Sequence, residues 1–253
     1  MTGADARSSF SIASAAYAHY RPHYPPELFA WIASACSDHR AAWDCATGNG
    51  QAAVALAAYF DAVEATDISP AQVAQDFHAP NVRYTAQPAE RTDFGDGAFD
   101  LVAVAQALHW FDFAGFWPEV RRVARAGAFF CAWGYSWFRS DPELHERFMD
   151  PLLEQLGPHW APENGLLWRG YPSEEIGFPF ERVEAPRFSI RLSWDIAAIA
   201  AYIRTWSAYK RALADPETAA SIGQLEGDAL QRFAERGAFS LDMPLAVVGG
   251  RIV

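Results

Sequence analysis

Asp67 lies about twenty residues beyond a tight small-residue turn, Ala46-Thr47-Gly48-Asn49-Gly50, and Asp44 lies just before it. A turn and an acid so spaced suit a ligand with an anionic end and a ribose. Backbone N–H groups at a helix N-terminus face the anion, and the carboxylate takes the sugar hydroxyls. Two cofactor classes use such turns. As Gly48-x-Gly50-x-x-Ala53, the segment satisfies the relaxed dinucleotide fingerprint, with Asp67 at a ribose distance. As Asp44-x-Ala46-x-Gly48-x-Gly50, it instead places an acid inside the end of an apolar run. A buried carboxylate there is costly unless it is paired. The ammonium of a methionine moiety would supply a partner, directly or through backbone and water, and a dinucleotide has no such cation. Asp44 therefore tips the reading toward S-adenosyl-L-methionine.

His109-Trp110 follows the apolar run Phe99–Ala105. A histidine with an ordinary pKa near 6.5 suits a general base that takes a proton from a hydroxyl or acid. The rival role is structural: His109 starts a helix, packs on Trp110 and fixes the loop. A carboxylate nucleophile arrives already ionised and needs no base. Trp110, Trp133 and Tyr135 are the candidates to line an acceptor pocket, since a sulfonium is attracted to ring faces by about 0.5–2 kcal/mol. Arg204 could pair with an acidic acceptor, or equally with a surface acid such as Asp195.

These residues need a scaffold that brings several strand ends together. Short apolar runs at Ala42–Ala46, Ala62–Thr66, Val82–Thr85, Phe99–Ala105 and Ala128–Trp133 alternate with helical stretches at Gln51–Phe60, Pro70–Gln75 and Phe113–Ala124. That alternation predicts a parallel sheet covered on both faces. Upstream, helices are predicted over Ser11–Tyr20 and Glu27–Ser37, separated by the proline-rich Arg21–Pro26. Downstream, Pro142–Leu156 reads as helical, Phe180–Ser193 as one strand, Ile196–Lys210 and Ala219–Arg236 as helices, and Leu245–Val253 as a closing strand. The expected organisation is N-terminal lid helices over 1–40, a cofactor-binding core over 41–135, a cap over 136–195, and C-terminal helices with the closing strand over 196–253.

The chain has 253 residues, enough for one large α/β domain with a modest elaboration. A formal charge of −11 and no Lys/Arg run longer than Arg121-Arg122 argue against nucleic acid and anionic membrane surfaces as partners. The cysteines Cys36, Cys45 and Cys131 lack disulfide or zinc-site spacing, and no apolar run is long enough to span a membrane. The expectation is a reduced, cytoplasmic protein without a metal. The sequence does not specify its oligomeric state.

The whole series resembles the class I S-adenosylmethionine-dependent methyltransferases, and within them the small-molecule group related to trans-aconitate methyltransferases. It comprises Tyr-x-x-Tyr-Arg-Pro-x-Tyr-Pro from Tyr17 to Pro25, Asp44–Gly50, Asp67-Ile68-Ser69, Ala89-Glu90, Phe99-Asp100-Leu101-Val102, Ala105–Asp112 and Arg204–Tyr209. The resemblance implies a Rossmann-like α/β fold: a seven-stranded, mostly parallel sheet with helices on both faces, an antiparallel last strand, and a cap inserted after strand 5. It implies methyl transfer to a small molecule. It places Asp44, Ala46, Gly48 and Gly50 around the methionine end, Asp67 on the ribose, Ile68 on the adenine, Ala89 and Glu90 at the adenine edge, and Gln106 near the sulfonium. Tyr17 and Arg21 would belong to a lid. The family's first turn glycine is Ala46 here. The residues alone leave two alternatives: a nicotinamide-dependent oxidoreductase, and a non-catalytic relative that binds the cofactor.

Overall fold

A computed structural model describes residues 22–74 and 79–253. The expected helix over Ser11–Tyr20, with Tyr17 and Arg21, lies outside the described residues. Five strands pair in parallel: β1 (Ala41–Cys45), β2 (Ala62–Asp67), β3 (Val82–Ala86), β4 (Phe99–Ala105) and β5 (Ala124–Tyr135). Three more follow: β6 (Glu181–Val183), β7 (Ser189–Trp194) and β8 (Phe239–Arg251). The order is β3-β2-β1-β4-β5-β8-β6, with β8 antiparallel to β5 and β6, and β7 also paired to β8. The central strands β1 and β4 are buried almost throughout, as strands covered on both faces must be.

The mostly parallel, Rossmann-like sheet with an antiparallel closing strand is as expected, but it has eight strands among the described residues. The run read as one strand over Phe180–Ser193 is two, because it contains Pro186, which cannot donate to a ladder. The helices α1 (Pro26–Ala35), α2 (Gln51–Leu56), α3 (Pro70–Val73) and α4 (Phe113–Val123) occupy their expected places, shortened by a few residues. At the amino end of the sheet Asp100 accepts the N–H groups of Arg40 at 2.8 Å and Ala41 at 3.0 Å and pairs with Arg125 at 2.7 Å. Burial alone would raise its pKa, but Arg125 and the two N–H groups hold it below the ordinary value.

The chain forms two compact units. The sheet unit comprises 24–137, 163–189 and 244–253. Its core packs Trp43 on Phe99 with ring centroids 6.1 Å apart, and the Trp43 indole N–H donates to Thr66 Oγ1 at 2.9 Å. In this unit α5 (Asn164–Trp168) follows the fifth strand at a distance of many residues. The second unit includes 138–162 and 190–243 and is mainly helical. Its first helical run is not uniform: Pro142–Leu144 passes through a π turn, His145–Met149, into α6 (Asp150–Leu156). Pro151 has no N–H to return to the preceding turn, so the ladder widens there. The helix expected over Ile196–Lys210 breaks into α7 (Ile196–Ile203) and α8 (Ser207–Ala212). Thr205 turns its hydroxyl back onto the Tyr202 carbonyl at 2.6 Å, and Trp206 is extended. A long helix, α9 (Pro216–Arg232), precedes β8.

Candidate functional site

The parallel strands end on one edge, and the turn after β1 is built from left-handed residues: Ala46 (φ 56°), Gly48 (φ 58°) and Gly50 (φ 90°), after which α2 begins. Gly50 is required twice over, since its backbone is left-handed and a Cβ would fall 2.2 Å from the Tyr84 hydroxyl. Ala46 adopts the same backbone region without a glycine's freedom. The departure from the family pattern is therefore a point of local strain.

Asp67, the last residue of β2, links this turn to the next loop. Its Oδ2 accepts the Gly48 N–H at 3.0 Å and its Oδ1 the Ser69 N–H at 2.9 Å. Ser69 holds the N-cap position of α3, so Asp67 bridges the turn after β1 and the start of that helix. Each oxygen keeps a further lone pair. Beside it Ile68 is 76% exposed.

Asp44 is fully buried. Its Oδ2 accepts the Thr47 hydroxyl at 2.5 Å, while Oδ1 has no hydrogen-bond partner. Burial pushes its pKa up from 3.8 to about 7; the Thr47 bond and the Ala53 backbone N–H pull the other way, and Asp67 adds to the rise. The Ala53 N–H exerts this pull without closing a hydrogen bond to Oδ1. Among the described residues no cation pairs with this carboxyl, and Thr47 is a partner that sequence reasoning missed. The spacing Asp44-x-x-Thr47 across a tight turn was the available signal.

Ala89 is nearly buried, and Glu90 leans on the start of α4: its Oε1 accepts the Asp112 N–H at 3.2 Å, and its Cβ packs against Gly115. Gln106 follows β4 in a left-handed conformation (φ 58°), and its amide is taken up by the Tyr135 backbone.

His109 sits in a 3₁₀ turn, Leu108–Trp110, almost wholly buried. Its Nδ1 is 3.0 Å from the Tyr171 hydroxyl, and burial lowers its pKa from 6.5 to about 4, with Glu163 opposing slightly. Burial and the contact with Tyr171 weaken His109 as a base near neutral pH. Tyr171, fully buried itself, is 62 positions away and had no local signal. Trp110 is 53% exposed. Trp133 is not, being fully buried with its ring edge-on to Tyr24 and Phe29 at 5.7 and 5.8 Å. It is a core residue, and Tyr135 is nearly buried beside Tyr24 as well. In the second unit, Arg204 pairs with the buried Glu226, which also accepts the Tyr209 hydroxyl at 2.7 Å. Asp195, offered as its partner, instead caps α7 through the Ala198 N–H at 2.8 Å.

Among the described residues no group of acids, cysteines or histidines could hold a metal ion, and no helix is long and apolar enough to cross a membrane.

Comparison with known proteins gives the family of the chain. Residues 43–132 match the family described as a methyltransferase domain. A protein of Dictyostelium discoideum named a methyltransferase is 33% identical over 207 residues, which is 79% of this chain and 77% of that one. An uncharacterized methyltransferase of Mycobacterium tuberculosis is 33% identical over 159 residues, covering 60% of this chain and 65% of that one. Among solved structures, a protein of Anaeromyxobacter dehalogenans described as a type II methyltransferase is 36% identical. It superposes with a TM-score of 0.81 over 92% of this chain and 98% of that one.

Proposed function

The chain belongs to the methyltransferase-domain family, and we infer that it transfers a methyl group from S-adenosyl-L-methionine to an oxygen of a small organic acceptor, a carboxylate or a hydroxyl. S-adenosyl-L-methionine is the cofactor of this fold family, and the residues at the sheet edge fit it. The observation that carries the reading is Asp67: a carboxylate fixed by two backbone N–H groups at the end of β2, with lone pairs to spare and an exposed Ile68 alongside. A ribose diol and an adenine face have that pair of needs. The unpartnered Oδ1 of Asp44, behind the turn, fits a ligand with a nearby ammonium.

When bound, the cofactor supplies an electrophilic methyl carbon on a sulfonium that leaves as a neutral thioether. No metal is needed to activate such a leaving group. Asp67 would hold the ribose, Ile68 the adenine, Ala89 and Glu90 its edge, and Ala46, Gly48 and Gly50 the methionine end. Trp110, exposed beyond β4, would bound the acceptor's approach. With His109 held neutral and weakly basic, the protein's main contribution is alignment of nucleophile, methyl carbon and sulfur. Such alignment is capable of supplying about 7–11 kcal/mol. An acceptor that arrives ionised suits this site best. The charge of −11 disfavours nucleic acid as acceptor, and three free cysteines suit the reducing cytoplasm.

Thermal unfolding with S-adenosylhomocysteine, and with NADH in parallel, tests the reading. Ligand at about 100 times its Kd adds roughly 2.7 kcal/mol, or about 5–11 °C for a chain of this size. A shift with S-adenosylhomocysteine alone, lost in Asp67→Ala, is the expected result. A shift with NADH alone would refute the reading.

A further inference from the structure

Gln106 stands where the β4 backbone leaves the sheet. Its own N–H still donates to the Trp133 carbonyl at 2.8 Å, continuing the ladder one residue past Ala105. The left-handed turn at Gln106 then carries the main chain away, so the backbone of Tyr135, two residues beyond Trp133 and the next to face β4, is met by the Gln106 side chain instead. Its Nε2 donates to the Tyr135 carbonyl at 3.2 Å, and its Oε1 accepts the Tyr135 N–H at 3.0 Å. A carboxamide is the side-chain group that offers one donor and one acceptor in a plane, as a peptide does. Gly134 makes the room: a Cβ there would lie 2.4 Å from Gln106 Oε1 and 2.6 Å from Leu167. Immediately beyond Gln106 the chain forms the turn Leu108–Trp110, held by the Trp110 N–H to Ala107 at 2.9 Å and by His109 on Tyr171. Trp110 projects from this turn half exposed.

We propose that Gln106 is a positioning residue of the acceptor side rather than a cofactor ligand: with Gly134 it clamps the carboxyl ends of β4 and β5, and so sets the turn that presents Trp110. The assignment of that side to the acceptor rests on the methyl-transfer reading. The amide commits one of its two N–H groups and one of its two carbonyl lone pairs to Tyr135, which fixes its plane and ties its main role to holding the two strand ends together.

The test uses the full chain labelled with 5-fluorotryptophan, the Trp110 signal being assigned by its disappearance in Trp110→Phe. Gln106→Met keeps the side-chain length and removes both hydrogen bonds. Gly134→Ala leaves Gln106 in place but fills the space its Oε1 occupies. Both should shift or broaden the Trp110 fluorine resonance while Trp206 keeps its own, a local response that a general loss of stability would not give. S-adenosylhomocysteine affinity, measured calorimetrically, should change by less than about twofold, whereas loss of a ligand contact would cost about tenfold or more. An unmoved Trp110 resonance in both variants, or a tenfold loss of affinity in Gln106→Met, overturns the proposal. Should the methionine variant not fold, Gln106→Asn, one methylene too short to reach Tyr135, carries the same readouts. A wild-type protein that does not bind S-adenosylhomocysteine refutes the methyl-transfer reading itself, a result distinct from an unmoved Trp110 in a protein that binds.

Discussion

The stability of Asp44→Asn relative to the wild type should climb with pH in the absence of ligand. Burial holds the Asp44 carboxyl at a pKa of about 7, against 3.8 ordinarily. Between those values the folded protein keeps a proton that the unfolded chain has released. The stabilising contribution is thus complete below the unfolded pKa and lost as pH rises through the folded one. The gap of roughly three pH units corresponds to about 4 kcal/mol. Asparagine cannot ionise and can still accept the Thr47 hydroxyl. Its Nδ2, however, would occupy the place of Oδ1, which has no partner, at a cost of about 1–3 kcal/mol at every pH. The variant should therefore start below the wild type near pH 4 and finish above it at pH 8, a swing of about 4 kcal/mol, or about 8–16 °C. The wild type alone would not isolate this effect. His109, whose pKa is lowered to about 4, contributes the opposite slope, stability that is lost as pH falls below 6.5. The difference between two proteins that both contain His109 cancels it. Urea unfolding of both at each pH gives that difference directly. A difference that stays constant from pH 4 to 8, to within about 1 kcal/mol, would refute the idea that Asp44 is a protonated, under-served acid. With S-adenosylhomocysteine present, a nearby ammonium favours the ionised carboxyl, so the ligand's stabilisation should grow with pH in the wild type and not in the variant.

Ala46→Gly should stabilise the protein by about 0–1.6 kcal/mol: relief of a left-handed alanine is worth about 1–2 kcal/mol, less about 0.4–1 for the greater freedom of glycine in the unfolded chain. Denaturant unfolding checks it, and a loss of stability would show that the Ala46 methyl makes compensating contacts. Tyr171→Phe removes the partner of His109 Nδ1 and should cost about 1–3 kcal/mol in the same assay, because the ring stays buried with one nitrogen unmatched. Arg204→Ala leaves Glu226 buried with Tyr209 as its remaining partner. The half-exposed arginine makes the loss modest, about 1–2 kcal/mol. A loss of acceptor affinity out of proportion to the loss of stability in that variant would return Arg204 to the acceptor site.

The sheet was legible because its signal is local. Strands buried on both faces read as continuous apolar runs, and β1, β2 and β4 lie within a residue of where those runs predict them. The turn at Ala46–Gly50 and the acid at Asp67 are also local, since a left-handed turn demands particular residue types. What the sequence hid depends on pairing across the fold. Trp133 at a strand end reads the same whether it faces a ligand or Tyr24 and Phe29; only the neighbouring rings decide, and they put it in the core. Gln106 with Tyr135, His109 with Tyr171 and Arg204 with Glu226 are separated by 29, 62 and 22 positions, with no periodicity to announce them.

The acids make the physical point most sharply. Asp44 and Asp100 belong to neighbouring strands of one sheet, and only Asp44 stands just before a glycine-bearing turn. At the amino edge, Asp100 receives two backbone N–H groups and an arginine, which hold it ionised. At the carboxyl edge, Asp44 receives one hydroxyl and keeps an oxygen without a partner. An acid whose needs the fold meets in full has little left to offer a ligand. One that the fold leaves short gains from any cation brought near it, and that asymmetry between the two edges supports, beside Asp67, the proposal that the cofactor's ammonium end lies at the carboxyl edge.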